Sequence, residues 1–402
     1  MDIKNKNHKL FCLDGLRGWA AFAVFAHHFS LAFCPQLLGM NTHNESYLNI
    51  KETPLFIFIN GPAAVSLFFV LSGFVLSVSL WQNIDGIIHS IIKRYPRLVL
   101  LPLISVLVSF TLYKFNLFQY KEASRISESN WLMQFGYSPN GGNITENFID
   151  SFLQGTYYTF FRGDHSLNIS LWKMHIEFVG SILTFAFVAV CSKIKTSTTI
   201  FFSLILSVLF CYQDNYFYIA FLLGAIISRL YLNNSQKKNG ILSHFLLFVS
   251  LISLGFFDPG VGFYSFISKL NLNQAIFRIF LHIAASAILI NYCLRSTRLK
   301  VFLSNKTSTF MGKISFPFYV IHIPIMMSLS STIFILSYKI GYKTSLIITL
   351  FATITFSFLV AHLLASIDSH WCTVINKVTK KLLPLYKINK ATTLLCGFII
   401  TT

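Results

Sequence analysis

Long apolar runs separated by short polar segments make up nearly the whole chain. A helix needs roughly 20 apolar residues to cross ~30 Å of hydrocarbon, and runs of about that length recur along the sequence. They do not show the alternation of period two that marks a membrane β-barrel. The pattern predicts spanning helices at 13–34, 55–81, 97–114, 170–192, 198–213, 215–232, 241–257, 274–294, 314–336 and 344–367.

These runs predict an all-α integral membrane protein, a bundle of about ten transmembrane helices. The runs at 97–114 and 198–213 are short for a perpendicular crossing, which leaves the count open by one or two. A composition of 54% hydrophobic and 11% charged residues is far from that of a soluble domain. We expect three regions: an N-terminal segment at 1–12, a membrane domain at 13–367 with an outer loop at about 115–169, and a basic tail at 368–402.

The basic residues determine the expected orientation, because cytoplasmic loops retain Lys and Arg during insertion. With the N-terminus inside, most of the 32 basic residues fall on the inner side, while acidic residues such as Glu122 and Asp150 fall outside. Both termini are therefore expected in the cytoplasm. The net charge of +18 is then a property of the inner face and requires no nucleic acid. The seven Cys are scattered and indicate neither a zinc site nor a disulfide framework.

The first predicted helix contains two ionisable residues, Arg17 and His28. Such residues are costly inside a membrane and are functional candidates by default. Eleven helical residues turn by ~20° more than three full turns, so both side chains lie on one face, ~16 Å apart along the axis. Arg17 is expected near the cytoplasmic surface and His28 in the outer half. The alternative is that Arg17 only anchors the helix and that His28 is a packed core residue.

Arg94 and Arg97 are expected at the inner start of the third helix. Residues three apart are neighbours on a helix, and two guanidiniums suit a phosphate group. A basic pair at a cytoplasmic helix end also arises from topology alone. The preceding helix carries the segment FFVLSGF at 68–74, which includes Ser72.

Two further segments carry candidate chemistry. In SLWKMHIEF at 170–178, Glu177 is expected ~10 Å below the outer surface, at a depth similar to that of His28. It is either functional or a structural hydrogen-bonding residue. In GKISFPFYVIHIP at 312–324, Tyr319 and His322 are candidates, and packing accounts for His322 better than ligand binding does.

Taken together and in this order, these segments resemble the signatures of the acyltransferase-3 family of bacterial inner-membrane acyltransferases. The resemblance covers residues about 10 to 367. Met174 occupies a Leu position of the family pattern, and Phe316 a Tyr position. The matching elements are Arg-x10-His (Arg17 and His28), the second-helix motif (FFVLSGF), Arg-x-x-Arg (Arg94 and Arg97), Leu-Trp-x-Leu-x-x-Glu (LWKMHIE) and Ser-Tyr-x-x-Tyr-x-x-His (ISFPFYVIH).

The resemblance implies transfer of an acyl group, most often acetyl, from cytoplasmic acyl-CoA to a surface glycan such as O-antigen, by a stand-alone enzyme. Acetyl-CoA is then a donor substrate, and neither a permanently bound cofactor nor a metal is implied. The expected partners are acyl-CoA, a glycan or lipid-linked sugar, and membrane lipids. The implied roles are general base for His28, base orientation or acceptor binding for Glu177, CoA phosphate binding for Arg17, Arg94 and Arg97, and further site positions for Ser72, Tyr319 and His322.

Other possibilities stay open from the sequence. Direct transfer and an acyl-His intermediate fit equally well. A multi-pass transporter or exporter would also place charged residues inside the bundle, although the paired halves common in such proteins are not visible. A scaffold protein would not require Arg17 and His28 on one face.

Overall fold

The structure is a computed structural model that describes residues 10–40, 49–135, 147–234, 239–258, 260, 262–270 and 272–382. Within these ranges the regular structure is helical, without a strand, as predicted. The first half contains α1 (Phe11–Phe33), α2 (Gly61–Val78), α3 (Ile87–Lys114), α4 (Tyr120–Ser127), α5 (Asn130–Met133), α6 (Phe148–Leu153), α7 (Thr159–Phe161) and α8 (Met174–Cys191). The second half contains α9 (Thr196–Tyr212), α10 (Phe217–Asn234), α11 (Ile241–Gly255), α12 (Ser265–Ser268), α13 (Gln274–Cys293), α14 (Thr297–Leu303), α15 (Lys306–Ile325), α16 (Ser331–Ser337) and α17 (Tyr342–Leu382).

Ten of these helices coincide with the ten predicted spans. In the described part of the chain, six segments are long and apolar enough to cross a membrane: Gly61–Val78, Ile84–Lys114, Ile169–Cys191, Gln274–Cys293, Lys306–Ile340 and Tyr342–Lys381. The shorter apolar helices α9, α10 and α11, together with α1, match the other four. The chain is therefore a multi-pass helical membrane protein, and the count of ten stays a prediction.

Helices α1 and α15 run side by side in the same direction. A Cβ atom on Gly18 would lie 2.5 Å from the backbone nitrogen of Gly312, so the two backbones approach as closely as only glycine permits. Small residues at helix contacts are typical of membrane bundles, where close packing drives association. This register continues outward to Phe25 and Phe318, whose ring centroids lie 5.2 Å apart. It also brings His28 to His322.

Helix α2 packs against α10 through a second pair of glycines. A Cβ on Gly73 would lie 2.2 Å from the carbonyl oxygen of Phe221, and one on Gly224 would lie 2.2 Å from that of Val70. Helix α8 contacts both of these helices. The three helices form a wall that carries Ser72 and Glu177.

Helix α3 begins at Ile87, ten residues before the predicted start of its span. Arg94 and Arg97 therefore lie within the helix rather than at its first residue. With 28 residues, α3 is not short for a crossing, which removes the doubt about this span. Helix α9, with 17 residues, stays short.

Helix α17 extends well past the predicted end of the last span. It has 41 residues, so the first part of the predicted tail is helical. This extension packs against the start of α3, where Trp371 Nε1 donates to the carbonyl oxygen of Pro96 at 2.8 Å. Lys93 Nζ also donates to Asn376 Oδ1 at 3.3 Å. The rest of the predicted tail and most of the predicted N-terminal segment lie outside the described residues.

The predicted outer loop contains two helical parts that contact the bundle. Helices α4 and α5 lie against the end of α1, where Ser127 Oγ donates to the carbonyl oxygen of Ala32 at 2.8 Å. The segment 148–161 packs along α3, and a Cβ on Gly155 would lie 2.8 Å from Leu103 Cα. Residues 136–146 of this loop are outside the described ranges.

Candidate functional site

His28 and His322 are directly hydrogen bonded, with 2.8 Å between His28 Nδ1 and His322 Nε2. His322 Nδ1 lies 3.1 Å from the carbonyl oxygen of Phe318. Because a carbonyl oxygen only accepts, His322 carries its proton on Nδ1 and accepts at Nε2. His28 must then donate from Nδ1. Its Nε2 has no hydrogen-bond partner among the described residues, and in the neutral ring it keeps a free lone pair.

Trp131 forms the other side of the His28 environment. Its ring is nearly parallel to the imidazole of His28, with 5.3 Å between centroids and 12° between planes. An indole face attracts an adjacent cation, so Trp131 is placed to stabilise a positive charge that forms on the His28 imidazole during a reaction. Trp131 belongs to the predicted outer loop, and nothing in its sequence context pointed to the site.

His27 points in a different direction from His28, as the 100° turn per residue predicts. Its Nδ1 lies 3.0 Å from the carbonyl oxygen of Ile59, and its ring packs edge-on against Phe56. The side chain is buried. His27 is therefore a packed residue that joins α1 to the segment preceding α2.

Glu177 belongs to a separate polar network on α2, α3 and α8. Its carboxylate forms a salt bridge with Arg94 and accepts from Ser72 Oγ at 2.8 Å. Arg94 Nε donates to Ser181 Oγ at 2.7 Å. The Arg94 and Glu177 side chains are only 12% and 17% exposed, so the pair is largely buried.

This network bears on two expectations. Glu177 was expected at a depth similar to that of His28, either to orient it or to bind the acceptor. Its carboxylate instead contacts Arg94 and Ser72, so the structure gives no contact for the first role, and acceptor binding stays a prediction. Arg94 was expected as a free phosphate ligand at the aqueous edge. Its guanidinium instead forms a salt bridge with Glu177 and donates to Ser181. The contacts of Arg94 in the structure are therefore those of a partner for a largely buried carboxylate.

A cavity of about 340 Å³ lies next to this network. Its volume is in the range of small-molecule sites. Arg17, Arg97 and Lys313 contribute positive charge, and Asp368 contributes one carboxylate. Arg97 and Lys313 are exposed, and Arg17 contacts Asp14 only at 3.5 Å. The remaining lining residues are Val65, Phe68, Phe69, Ser72, Val75, Leu76, Arg94, Leu98, Lys173, Met174, Glu177, Gly312, Ser315, Phe316, Pro317 and Tyr319.

Tyr319 lies between the cavity and the histidine pair. Its ring centroid is 6.2 Å from that of Phe68, another cavity residue, and 6.2 Å from that of His322. Its hydroxyl donates to the carbonyl oxygen of Ser170 at 2.5 Å. The structure thus divides the predicted site residues into two adjoining groups. His28 and His322 form one, and Arg17, Ser72, Arg94, Arg97, Glu177 and Tyr319 line the cavity.

Sequence reasoning missed four residues of this region: Lys173, Lys313, Asp368 and Trp131. Lys173 was read only as a variable position of LWKMHIE, although an ionisable residue in a spanning helix is itself a signal. Asp368 was placed in the tail, and Trp131 in the loop. No group of three or more potential metal ligands occurs in the described ranges.

A helical membrane bundle that places an imidazole with a free lone pair beside a cationic cavity has the groups needed to transfer an acyl group from an anionic carrier. The chain belongs to the acyltransferase-3 family, whose model, described as an acyltransferase domain, matches residues 10–362. It is also similar to the O-acetyltransferase PaAT-1 of Phomopsis amygdali, with 24% identity over 377 residues. That alignment covers 80% of this chain and 73% of the relative. No solved structure matches the chain.

The predicted family and the predicted acyltransferase activity are therefore confirmed. The chain is a membrane acyltransferase.

Proposed function

We propose that this acyltransferase moves an acetyl group from cytoplasmic acetyl-CoA to a hydroxyl group of a surface glycan. The observation that carries the proposal is the direction of two hydrogen bonds. His322 Nδ1 donates to the carbonyl oxygen of Phe318, so His28 Nδ1 donates to His322 Nε2. This direction leaves Nε2 of His28 as an acceptor, which is what a general base requires. The O-acetyltransferase name of the fungal relative supports an oxygen acceptor and acetyl as the acyl group.

The cationic side of the cavity supports an anionic donor. CoA carries phosphates, and guanidinium groups bind phosphates through charge-assisted hydrogen bonds. Arg97 and Lys313 are exposed there, and Arg17 has only a long contact with Asp14. Arg94 contributes charge at the same wall while remaining bonded to Glu177. We therefore assign phosphate binding to Arg17, Arg97 and Lys313.

In the proposed reaction, His28 Nε2 takes the proton of the sugar hydroxyl as its oxygen bonds to the thioester carbonyl carbon. The carbon–sulfur bond breaks, and His28 returns the proton to the sulfur. The products are an O-acetyl ester and free CoA thiol. While His28 is charged, Trp131 stabilises the imidazolium, and His322 holds the ring through Nδ1.

The orientation of the protein belongs to the proposal. We assign both termini to the cytoplasm of a bacterium, in the inner membrane, because the basic residues cluster on one side of the predicted spans. Reporter fusions at residue 5 and after residue 390 test this assignment. An extracytoplasmic signal at either end would contradict it.

The decisive experiment measures thiol release by the purified protein from acetyl-CoA, with and without extracted surface glycan. We expect release that depends on the glycan, together with acetylated glycan detected by mass spectrometry. A protein that moves glycan across vesicles without releasing thiol would instead be a transporter. Surface glycans from cells with and without the gene identify the acceptor and the acyl group through their mass difference.

A further inference from the structure

Lys173 is a cation in the cavity wall to which the proposed reaction gives no role. It ends the short helical turn Ile169–Lys173 that leads into α8, within the candidate span Ile169–Cys191. Its Nζ lies 3.9 Å from the ring centroids of both Trp172 and Phe217. Among the described residues, its ammonium forms neither a salt bridge nor a hydrogen bond.

An ammonium group that is partly removed from water is stabilised by a hydrogen-bond acceptor. Removing a charge from water is costly unless hydrogen bonds or an opposite charge compensate for it. Glu177, one helical turn further, is already bonded to Arg94 and Ser72. The two aromatic rings attract the ammonium but accept none of its N–H groups conventionally. They hold Nζ in place and leave its donors available to the cavity.

Lys173 and the exposed Arg97 line the cavity from different elements. Lys173 precedes α8, and its ammonium lies over the ring of Phe217, the first residue of α10. Arg97 and Asp368 belong to α3 and α17, which pack against each other. Phe69 and Met174, which also line the cavity, are apolar. An apolar surface with one ammonium group suits an uncharged chain with carbonyl oxygens better than hydrated phosphates.

We propose that Lys173 binds a carbonyl oxygen in the uncharged pantetheine arm of the thioester donor. This inference rests on the proposed function, in which the phosphates occupy the arginine side. A CoA thioester carries amide carbonyls between its phosphates and its sulfur, and a bond from an ammonium to such an oxygen is charge-assisted. Lys173 is thereby a positioning residue, which holds the arm as it extends from the phosphate side of the cavity.

The test compares Lys173→Met with Lys343→Met, an exposed control at the start of α17 that does not line the cavity. Binding of CoA and of adenosine 3′,5′-bisphosphate, which lacks the arm, is measured on purified protein. We expect Lys173→Met to weaken CoA binding roughly tenfold and to leave bisphosphate binding unchanged. The KM for acetyl-CoA should rise with little change in kcat.

Three outcomes separate the explanations. Unchanged CoA binding by a folded Lys173→Met protein overturns the role of Lys173 alone. An equal loss for CoA and bisphosphate also overturns it, because Lys173 would then bind phosphate or act through folding. Failure of the wild-type protein to bind CoA overturns the proposed donor as well. If Lys173→Met does not fold, Lys173→Gln takes its place, with an intermediate loss expected because it keeps a donor without the charge.

Discussion

The two parts of the site differ in whether their polar groups still have a hydrogen-bonding atom without a partner. In the network of Arg94, Glu177 and Ser72, charges are paired with each other, and the carboxylate accepts from both partners. In the pair of His28 and His322, the hydrogen-bond order makes His322 an uncharged acceptor, and Nε2 of His28 has no partner among the described residues. The charged network is therefore largely closed, whereas the histidine pair still has a ring nitrogen without a partner.

This difference shows that charge alone is a poor guide to the reactive group in a membrane bundle. Arg94 and Glu177 are the pair that a search for intramembrane charges finds first. Their mutual engagement means that each compensates for the burial of the other. The chemistry is better suited to a group whose partner fixes one ring nitrogen and leaves the other free. The predictions below test that separation.

The largest effect is expected for His28→Ala. Removing a general base lowers the rate by roughly 10²- to 10⁴-fold, while expression and insertion stay near normal. His27→Ala is the matched control, because His27 packs against Phe56 and Ile59 and has no role in transfer. Glycan acetylation in cells, normalised to the amount of membrane protein, measures both variants. Equal losses, or retained acetylation by His28→Ala, would exclude His28 as the base.

The Arg94 and Glu177 pair is expected to affect folding more than chemistry. Truncating one partner leaves the other charge largely buried and unpaired, which costs roughly 3 kcal/mol. Arg94→Met and Glu177→Met should each lower thermal stability in detergent, and the double variant should recover part of the loss. Purified protein and its unfolding midpoint provide the readout. If the single variants keep wild-type stability and lose only donor affinity, Arg94 is a phosphate ligand after all.

The sequence predicted the helices well because an apolar run of sufficient length has few alternatives in lipid. It also singled out His28 and His322 as candidates, because ionisable residues in such runs stand out. Their contact was not predicted, since it depends on the register of α1 against α15, which the close approach of Gly18 to Gly312 sets. Register arises from packing between residues far apart in the chain, and periodicity carries no information about it.

The differences between expectation and structure have equally definite causes. The depth of Glu177, similar to that of His28, was inferred from its distance to the helix start alone, which ignores where neighbouring helices offer partners. Its actual partners, Arg94 and Ser72, belong to α3 and α2. The tail was separated from the bundle because polar residues follow the last apolar run. The contact of Trp371 with Pro96 shows that this polar stretch continues the helix against α3.

His322→Phe is expected to have an intermediate effect. Phenylalanine fills a similar space but cannot accept the Nδ1 hydrogen of His28, so the base loses the partner that fixes its tautomer. Loss of one such bond corresponds to about a tenfold lower rate. His322→Gln, which keeps an acceptor, should recover part of the activity. A wild-type rate for His322→Phe would show that packing alone holds His28 in position.

Arg97→Gln should have the smallest effect, because water and salt screen the attraction between an exposed cation and a phosphate. We expect roughly fivefold weaker binding of the donor and a smaller dependence of that binding on salt concentration. Arg298→Gln, an exposed residue outside the cavity, is the control and should leave both unchanged. Asp368→Asn should have the opposite sign, because it removes the carboxylate that α17 places among the cavity cations. If Arg97→Gln and Asp368→Asn both left donor affinity and its salt dependence unchanged, the phosphates would bind elsewhere, and the assignment of phosphate binding to Arg97 would fail.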